Sequence, residues 1–298
     1  MNLRPLGYEP NELPDCSTPR QRPLSIINTL LCQGLNPCTH LYYALAHFPC
    51  VDYCFSTVNF HNEITYKKER TVGVFKRLAI LAGAAAFSNL ALTAVNILQA
   101  GPRKPDGRTM GEILGKDPAQ AFVEDVKRLS RSETMQLFYA AETPDFRSMQ
   151  GEYQAEVLKG GVLGPASIYF THHIFPTGNI TLDTHWEGKA FLPAEKTSGY
   201  GYNLFSAGPT SGQRQVLRTR KFRTWIGPTT IGKNGKDSFH LVYSPFNTGL
   251  IHSMHDEVRQ INEHLFICAG YMALGGGPIN PAPFVLIGPP SAWVGLKE

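Results

Sequence analysis

Lys233-Asn234-Gly235-Lys236 lies between two β-prone stretches, residues 223–232 and 237–243. Asn-Gly suits the positive-φ positions of a type I′ turn, whose twist matches that of paired strands, so an antiparallel hairpin is predicted here. A hairpin alone is marginal in water and needs further strands with a shared buried face. The neighbouring sequence offers them. Gly151-Glu-Tyr153-Gln-Ala155-Glu-Val157 and Thr184-His-Trp186-Glu-Gly188-Lys189-Ala-Phe191 alternate polar with apolar residues, as half-buried strands do. Residues 200–205, 214–226, 259–271 and 283–287 read the same way, and residues 166–175 are mostly apolar and read as a strand. That makes about seven to nine strands, spaced as in an antiparallel barrel or sandwich. A helix is predicted over residues 117–138, with Asp117 as N-cap and Pro118 at the first helical position, and residues 132–139 either extend it or start a second helix. The expected fold class is mainly β: a closed antiparallel barrel of about eight strands, wide enough for one small ligand.

The N-terminal third is a different kind of chain. Pro5, Pro10, Pro14, Pro19 and Pro23 punctuate an unstructured lead, and residues 24–60 are apolar and aromatic, with Pro37 and Pro49 preventing one long helix. Residues 78–100 are uncharged and long enough to cross a bilayer. Lys67, Lys68, Arg70, Lys76 and Arg77 precede them; Arg103 and Lys104 follow. Two readings stand for this run: a membrane-spanning helix, or an Ala-rich core or amphipathic helix. Residues 101–107 form a linker by composition. The expected organisation is an N-terminal extension over 1–107, containing the hydrophobic helix 78–100, and a β-barrel domain over 108–298.

Composition narrows the function. Hydrophobic residues are 42% and charged residues 17%, so the chain has material for a core and is not disordered. A net charge of +4 without dense Lys/Arg stripes argues against nucleic acid as a partner. Five of the six cysteines (Cys16, Cys32, Cys38, Cys50 and Cys54) fall in the first 54 residues, and Cys268 stands apart. They form no C-x-x-C pair, so neither a zinc ribbon nor a thioredoxin-like redox site is indicated. The first residues lack an apolar signal core, which points to a membrane-associated or intracellular protein rather than classical secretion. Asn179-Ile-Thr181 is a glycosylation sequon, relevant only to a luminal body.

Gly151-Glu-Tyr153 and Trp186-Glu-Gly188-Lys189-Ala-Phe191 resemble the strand openers of calycin-type proteins, the lipocalin and fatty-acid-binding class. So does Asp256-Glu257-Val258-Arg259 followed by the apolar Leu265-Phe266-Ile267. The resemblance covers residues 145–290 and implies a lipocalin-like barrel. It also implies an aromatic near the barrel floor packed against a late-strand arginine, here Tyr153 or Trp186 with Arg259.

His252-Ser-Met-His255-Asp256-Glu257-Val258-Arg259 concentrates titratable groups in eight residues. Histidine titrates near neutrality and an adjacent carboxylate can orient it, so His255, Asp256 and His252 are the candidate catalytic residues. The alternative is a solvated turn leading into a strand, with Asp256 or Glu257 paired to Arg259. Tyr153, Trp186, Lys189, Trp225, Tyr243 and Arg259 are the candidate ligand-binding residues. His172 and His173, if in a strand, point to opposite faces; with His185 and His240 they lack metal-ligand spacing, so no metal is expected. In the basic run, Arg218 and Arg220 share a face with Phe222, and Lys221, Arg223 and Trp225 take the other. No phosphate loop or nucleophile elbow is present in the sequence.

The expected function is binding of a small apolar ligand in a barrel cavity, with a biosynthetic pathway as one setting. Any turnover would be isomerisation or cyclisation by cofactor-independent acid/base chemistry. The alternative is a non-catalytic scaffold or assembly protein associated with a membrane through residues 78–100.

Overall fold

A computed structural model describes residues 59–209, 214–232 and 235–296. Two units are distinguished, Met1–Arg70 and Thr71–Glu298; the cysteine-bearing, aromatic stretch of the first lies outside the described residues, apart from its helical end. Helix α1 (Asn59–Gln99) is followed by short helices α2 (Met110–Leu114), α3 (Val123–Arg128) and α4 (Arg131–Ala140). Eight strands then follow: β1 (Gly151–Val157), β2 (Thr184–Pro193), β3 (Ser198–Ala207), β4 (Gln215–Pro228), β5 (Asp237–Val242), β6 (His255–Asn262), β7 (Leu265–Tyr271) and β8 (Ala282–Ser291). Each pairs antiparallel with the next and β8 returns to β1, so the sheet is a closed barrel. The alternating patterns at 151–157 and 184–191 fall on β1 and β2 as expected.

Closure lets each strand present one face inward. Tyr153, Trp186, Phe191, Phe205, Phe222, Phe239, Leu241, Val258, Phe266, Phe284 and Leu286 form the interior cluster. The outer face of β6–β8 carries Leu265, Ile267, Ala269 and Val285, buried under Leu137, Phe138 and the neighbouring helices. Trp293 and Leu296 cover Ala190, Tyr202 and Leu204 on the outside of β2 and β3.

Several local expectations change. Residues 166–175 are not a strand: helix α5 (Gly164–Tyr169) continues into a π-turn over Phe170–Ile174. A short apolar run does not distinguish strand from buried helix by periodicity alone, and Pro165 in the first helical turn favours the helix. The helix expected over 117–138 is a 3₁₀ turn (Pro118–Gln120) followed by α3 and α4. Ser130 restarts the helix as the N-cap of a capping box with Glu133. The 223–243 hairpin forms, but pairing ends at Pro228↔Asp237; Lys233 and Asn234 lie outside the described residues, so the turn type is not described. Gly275–Gly277 falls in consecutive 3₁₀ turns.

Helix α1 contains Lys76–Gln99, which among the described residues is the helix long and apolar enough to cross a membrane. Leu81 and Phe87 are 65% and 73% exposed. Its last turns dock on the barrel side of the same unit. There Asn96 donates to Asn280 Oδ1 (2.9 Å), while Asn96 Oδ1 and Gln99 Oε1 cap the N–H groups of Leu163 and Val162.

Candidate functional site

Two β-bulges set the inward residues of the barrel. On β2, register shifts between Trp186 and Gly188, so Trp186 and Lys189, three apart, both face inward with Phe191. A Cβ on Gly188 would meet Tyr153 O at 1.9 Å, so the bulge needs glycine. On β4, Arg220 has φ 57° and register shifts opposite Tyr202. The extra residue puts Leu217 and Phe222 inside while Arg218 stays outside, bonded to Glu152 (2.7 Å). The expected shared face of Arg218 and Phe222 is therefore wrong: a bulge adds one residue and reverses the alternation.

At the centre of the barrel is a buried polar group. Lys189 Nζ donates to Asn203 Oδ1 (2.7 Å) and Tyr243 OH (2.7 Å) and lies 3.0 Å from Asp256 Oδ2. An ammonium has three donors, and all three are engaged. Tyr243 OH donates to Asp256 Oδ2 (2.9 Å), and Trp186 Nε1 donates to Asn203 Oδ1 (3.2 Å). Ring centroids of Trp186, Phe284, Tyr243, Phe222 and Phe175 lie 5.2–5.9 Å from Nζ. Burial pulls the Lys189 ammonium below its ordinary value, against the Asp256 charge. Burial, then the charge on Asp256, holds the Tyr243 phenol well above its own. Asp256 Oδ1, in contrast, takes no hydrogen bond from any described residue. It points toward Gly270, where a Cβ would come within 2.5 Å.

This group lies on the wall of a cavity of about 280 Å³. Phe170, Phe175, Trp186, Phe284, Val157 and Met254 give it an apolar lining, and Lys189, Asp256 and Gly270 give it a polar patch. Toward α1 it reaches Asn89, Asn96 and Arg131. Arg131 is buried, bonds Gly160 O, Asn280 Oδ1 and Pro281 O, and leaves Nε without a partner. Burial lowers its pKa to about 10.

Of the candidate residues, Asp256, Lys189 and Trp186 line the cavity, and Tyr243 joins them through hydrogen bonds. Tyr153 is inside the barrel, edge-on to Phe191 and Phe266, but does not line the cavity. His255 and Asp256 are neighbours on β6 and face opposite sides, so they do not form one acid/base pair. His255 is outside, bonded to His240 Nδ1 at 2.8 Å. His252 is exposed, with Nδ1 3.1 Å from Asn247 O. Trp225 is also outside, stacked on His240 at 4.3 Å. Arg259 lies on the outer face over the Phe138 ring, bonded to Ala141 O and Ser238 Oγ. It packs against a helix aromatic rather than Tyr153 or Trp186. His172 stacks on His185 at 4.0 Å and neighbours His173, while His240 pairs elsewhere. Asn179 is exposed in the loop before β2.

Asn203, which accepts from both Lys189 and Trp186, is the member of the group that sequence reasoning misses. The only sequence signal for Asn203 is an amide flanked by Tyr200, Tyr202, Leu204 and Phe205 in a β-prone run.

No family model and no curated protein matches the chain. Among solved structures it is similar to the crystal structure of a protein from Thermomonospora curvata, with 13% identity over 53% of this chain and 87% of that chain, and a TM-score of 0.36.

Proposed function

We propose that the barrel binds a small, largely apolar molecule carrying a hydrogen-bond-donating head such as a hydroxyl. The observation that carries this reading is the unshared Asp256 Oδ1 on the wall of an apolar cavity. All Lys189 donors are taken within the protein, so the group available to a ligand is an acceptor. The volume sits just under the roughly 300–1,000 Å³ of drug-sized sites, which favours a small molecule. A carboxylate accepting a proton from the bound head, beside Tyr243 and Lys189, suits isomerisation or cyclisation by proton transfer.

The test is fluorescence titration of the full chain, with Trp186→Phe separating the cavity signal from Trp225 and Trp293. The panel is alcohols, their methyl ethers and the matched hydrocarbons. A hydrogen bond to a charged group contributes about 1.5–3 kcal/mol, so alcohols bind on the order of 10- to 100-fold tighter than ethers. Gly270→Ala abolishes this preference. Equal binding of alcohol and ether, or no binding by any probe, sinks the reading.

A second reading, association with a membrane, is favoured by the exposed apolar face of Lys76–Gln99. At about 1.5 Å per residue its 24 residues extend roughly 36 Å, against about 30 Å of bilayer hydrocarbon. The full chain should float with liposomes in a density gradient, and Leu81→Asp with Phe87→Asp should leave it at the bottom. Flotation unchanged by these substitutions removes the helix from that role.

A further inference from the structure

The outer face of β5 and β6 carries a second buried polar cluster that the ligand cavity does not use. His240 and Glu257 are fully buried, and His255 is partly so. One ligand atom from each of the three lies within 4.8 Å of the others. We propose that His240, His255 and Glu257 bind one borderline divalent transition metal ion of the zinc class.

The outer support matches what metal-bound side chains need. His240 Nε2 donates to Gly227 O (3.0 Å), leaving the Nδ1 lone pair directed at the cluster; metal-bound histidines are commonly oriented through their other nitrogen in this way. Trp225 stacks on His240 and Tyr271 stacks on His255 at 5.1 Å, fixing both rings. Glu257 is held by the Thr230 N–H (2.7 Å) and by the hydroxyls of Thr230 (2.6 Å) and Thr229. These partners are neutral, and the positive charge of Arg259 acts on Glu257 from two residues along the same strand face. A buried carboxylate held mainly by neutral donors is costly, and a bound cation offsets that cost.

The donor set decides the class of ion. Two imidazoles and one carboxylate suit zinc and its neighbours, whereas calcium takes six to eight oxygens and magnesium retains an octahedral water shell. Without metal, His240 Nδ1 and His255 Nε2 share a hydrogen bond at 2.8 Å, and Glu257 Oε1 is 4.0 Å from His240. Binding separates the two nitrogens by about half an ångström and draws the carboxylate in from up to 4.8 Å, to metal–ligand distances of about 2.0–2.2 Å. His255 lies toward the open side, which leaves a coordination position for water. Because Gly227 lies at the end of β4 and Thr229 and Thr230 in the connection after it, the ion ties that segment to β5 and β6.

The full chain, stripped with chelator, is titrated with cobalt(II) and zinc(II). The expected result is one cobalt per chain, with the intense visible absorption of a low-coordinate site, displaced by one zinc and raising Tm. His240→Ala and Glu257→Gln lose the spectrum and the Tm rise, while His172→Asn, in the other histidine cluster, keeps both. If a variant fails to fold, the milder His255→Gln decides: at least tenfold weaker zinc binding is expected. No stoichiometric cobalt uptake by the native chain, or uptake unaffected by His255→Gln, overturns the site.

Discussion

Lys189 and Asp256 sit in the most apolar part of the barrel, each with 2% of its side chain exposed and 3.0 Å apart. Removing one member of a buried pair generally costs about 3–5 kcal/mol, because the other charge is stranded. The surroundings rank the two single variants. In Asp256→Asn the ammonium keeps Asn203, Tyr243 and five ring faces, and desolvated cation–π contacts contribute up to about 2 kcal/mol. Its loss falls near the lower bound, about 3 kcal/mol. In Lys189→Met the carboxylate keeps the Tyr243 hydroxyl but loses the ammonium, and an aromatic surrounding offers an anion no comparable attraction, so its loss approaches about 5 kcal/mol. The double variant holds no stranded charge and is less destabilised than Lys189→Met. The coupling then reaches or exceeds about 3 kcal/mol, the upper end for residues in contact. Urea unfolding of the full chain followed by tryptophan fluorescence measures all four corners of this cycle. Additive losses, or Asp256→Asn costing more than Lys189→Met, would refute a stabilised cation in an aromatic cage.

Three further outcomes are expected. Arg259→Met loses charge-assisted bonds to Ala141 O and Ser238 Oγ and costs about 3–5 kcal/mol in urea unfolding, yet leaves alcohol binding unchanged because Arg259 lies outside the barrel. Gly188→Ala drives a methyl into Tyr153 O and lowers stability by about 3 kcal/mol or more, the top of the overpacking range, read as a lower Tm and a wider β1–β2 gap in a crystal structure. His172 is held down to about 4 by burial and then by His185 and His173, with only Glu187 opposing. Between that value and its ordinary 6.5 the unfolded chain binds the extra proton, so stability is lost as pH falls through this window. His172→Asn should flatten that part of the urea midpoint–pH curve, and an unchanged slope counts against the assignment.

The barrel was legible because strand alternation and hairpin chemistry are local, and they show in β1, β2 and the β4–β5 hairpin. The site was legible only in its residue types. Trp186 and Lys189 were both named, but simple alternation puts residues three apart on opposite faces; the bulge at Gly188 that unites them depends on the close approach of Tyr153 O across β1. The Arg220 bulge is equally hidden, since a non-glycine residue at positive φ has no sequence mark. His255 with Asp256 is a different failure. The two-residue period already separates neighbours on a strand, and treating 252–259 as a turn concealed it. Residues 166–175 read as a strand because a short apolar run carries no periodicity that separates strand from helix.

The dense stretch in β6 is better understood as parts of two polar clusters back to back. Asp256 and Val258 face inward; His255, Glu257 and Arg259 face outward. A slip of one residue would exchange these sets, placing Glu257 in the barrel cavity and Asp256 against His240. Three contacts oppose that slip. Gly270 lies opposite Asp256 and leaves room for its carboxylate, whereas Ala269 lies opposite Glu257. Arg259 reaches Ala141 O at the end of α4. Gln260 N bonds Glu142 O at 2.7 Å, tying the strand to the segment after that helix. The helices before the barrel therefore do more than cover its outer face: by fixing the register of β6, they keep the acceptor Asp256 inside and the histidine–glutamate cluster outside.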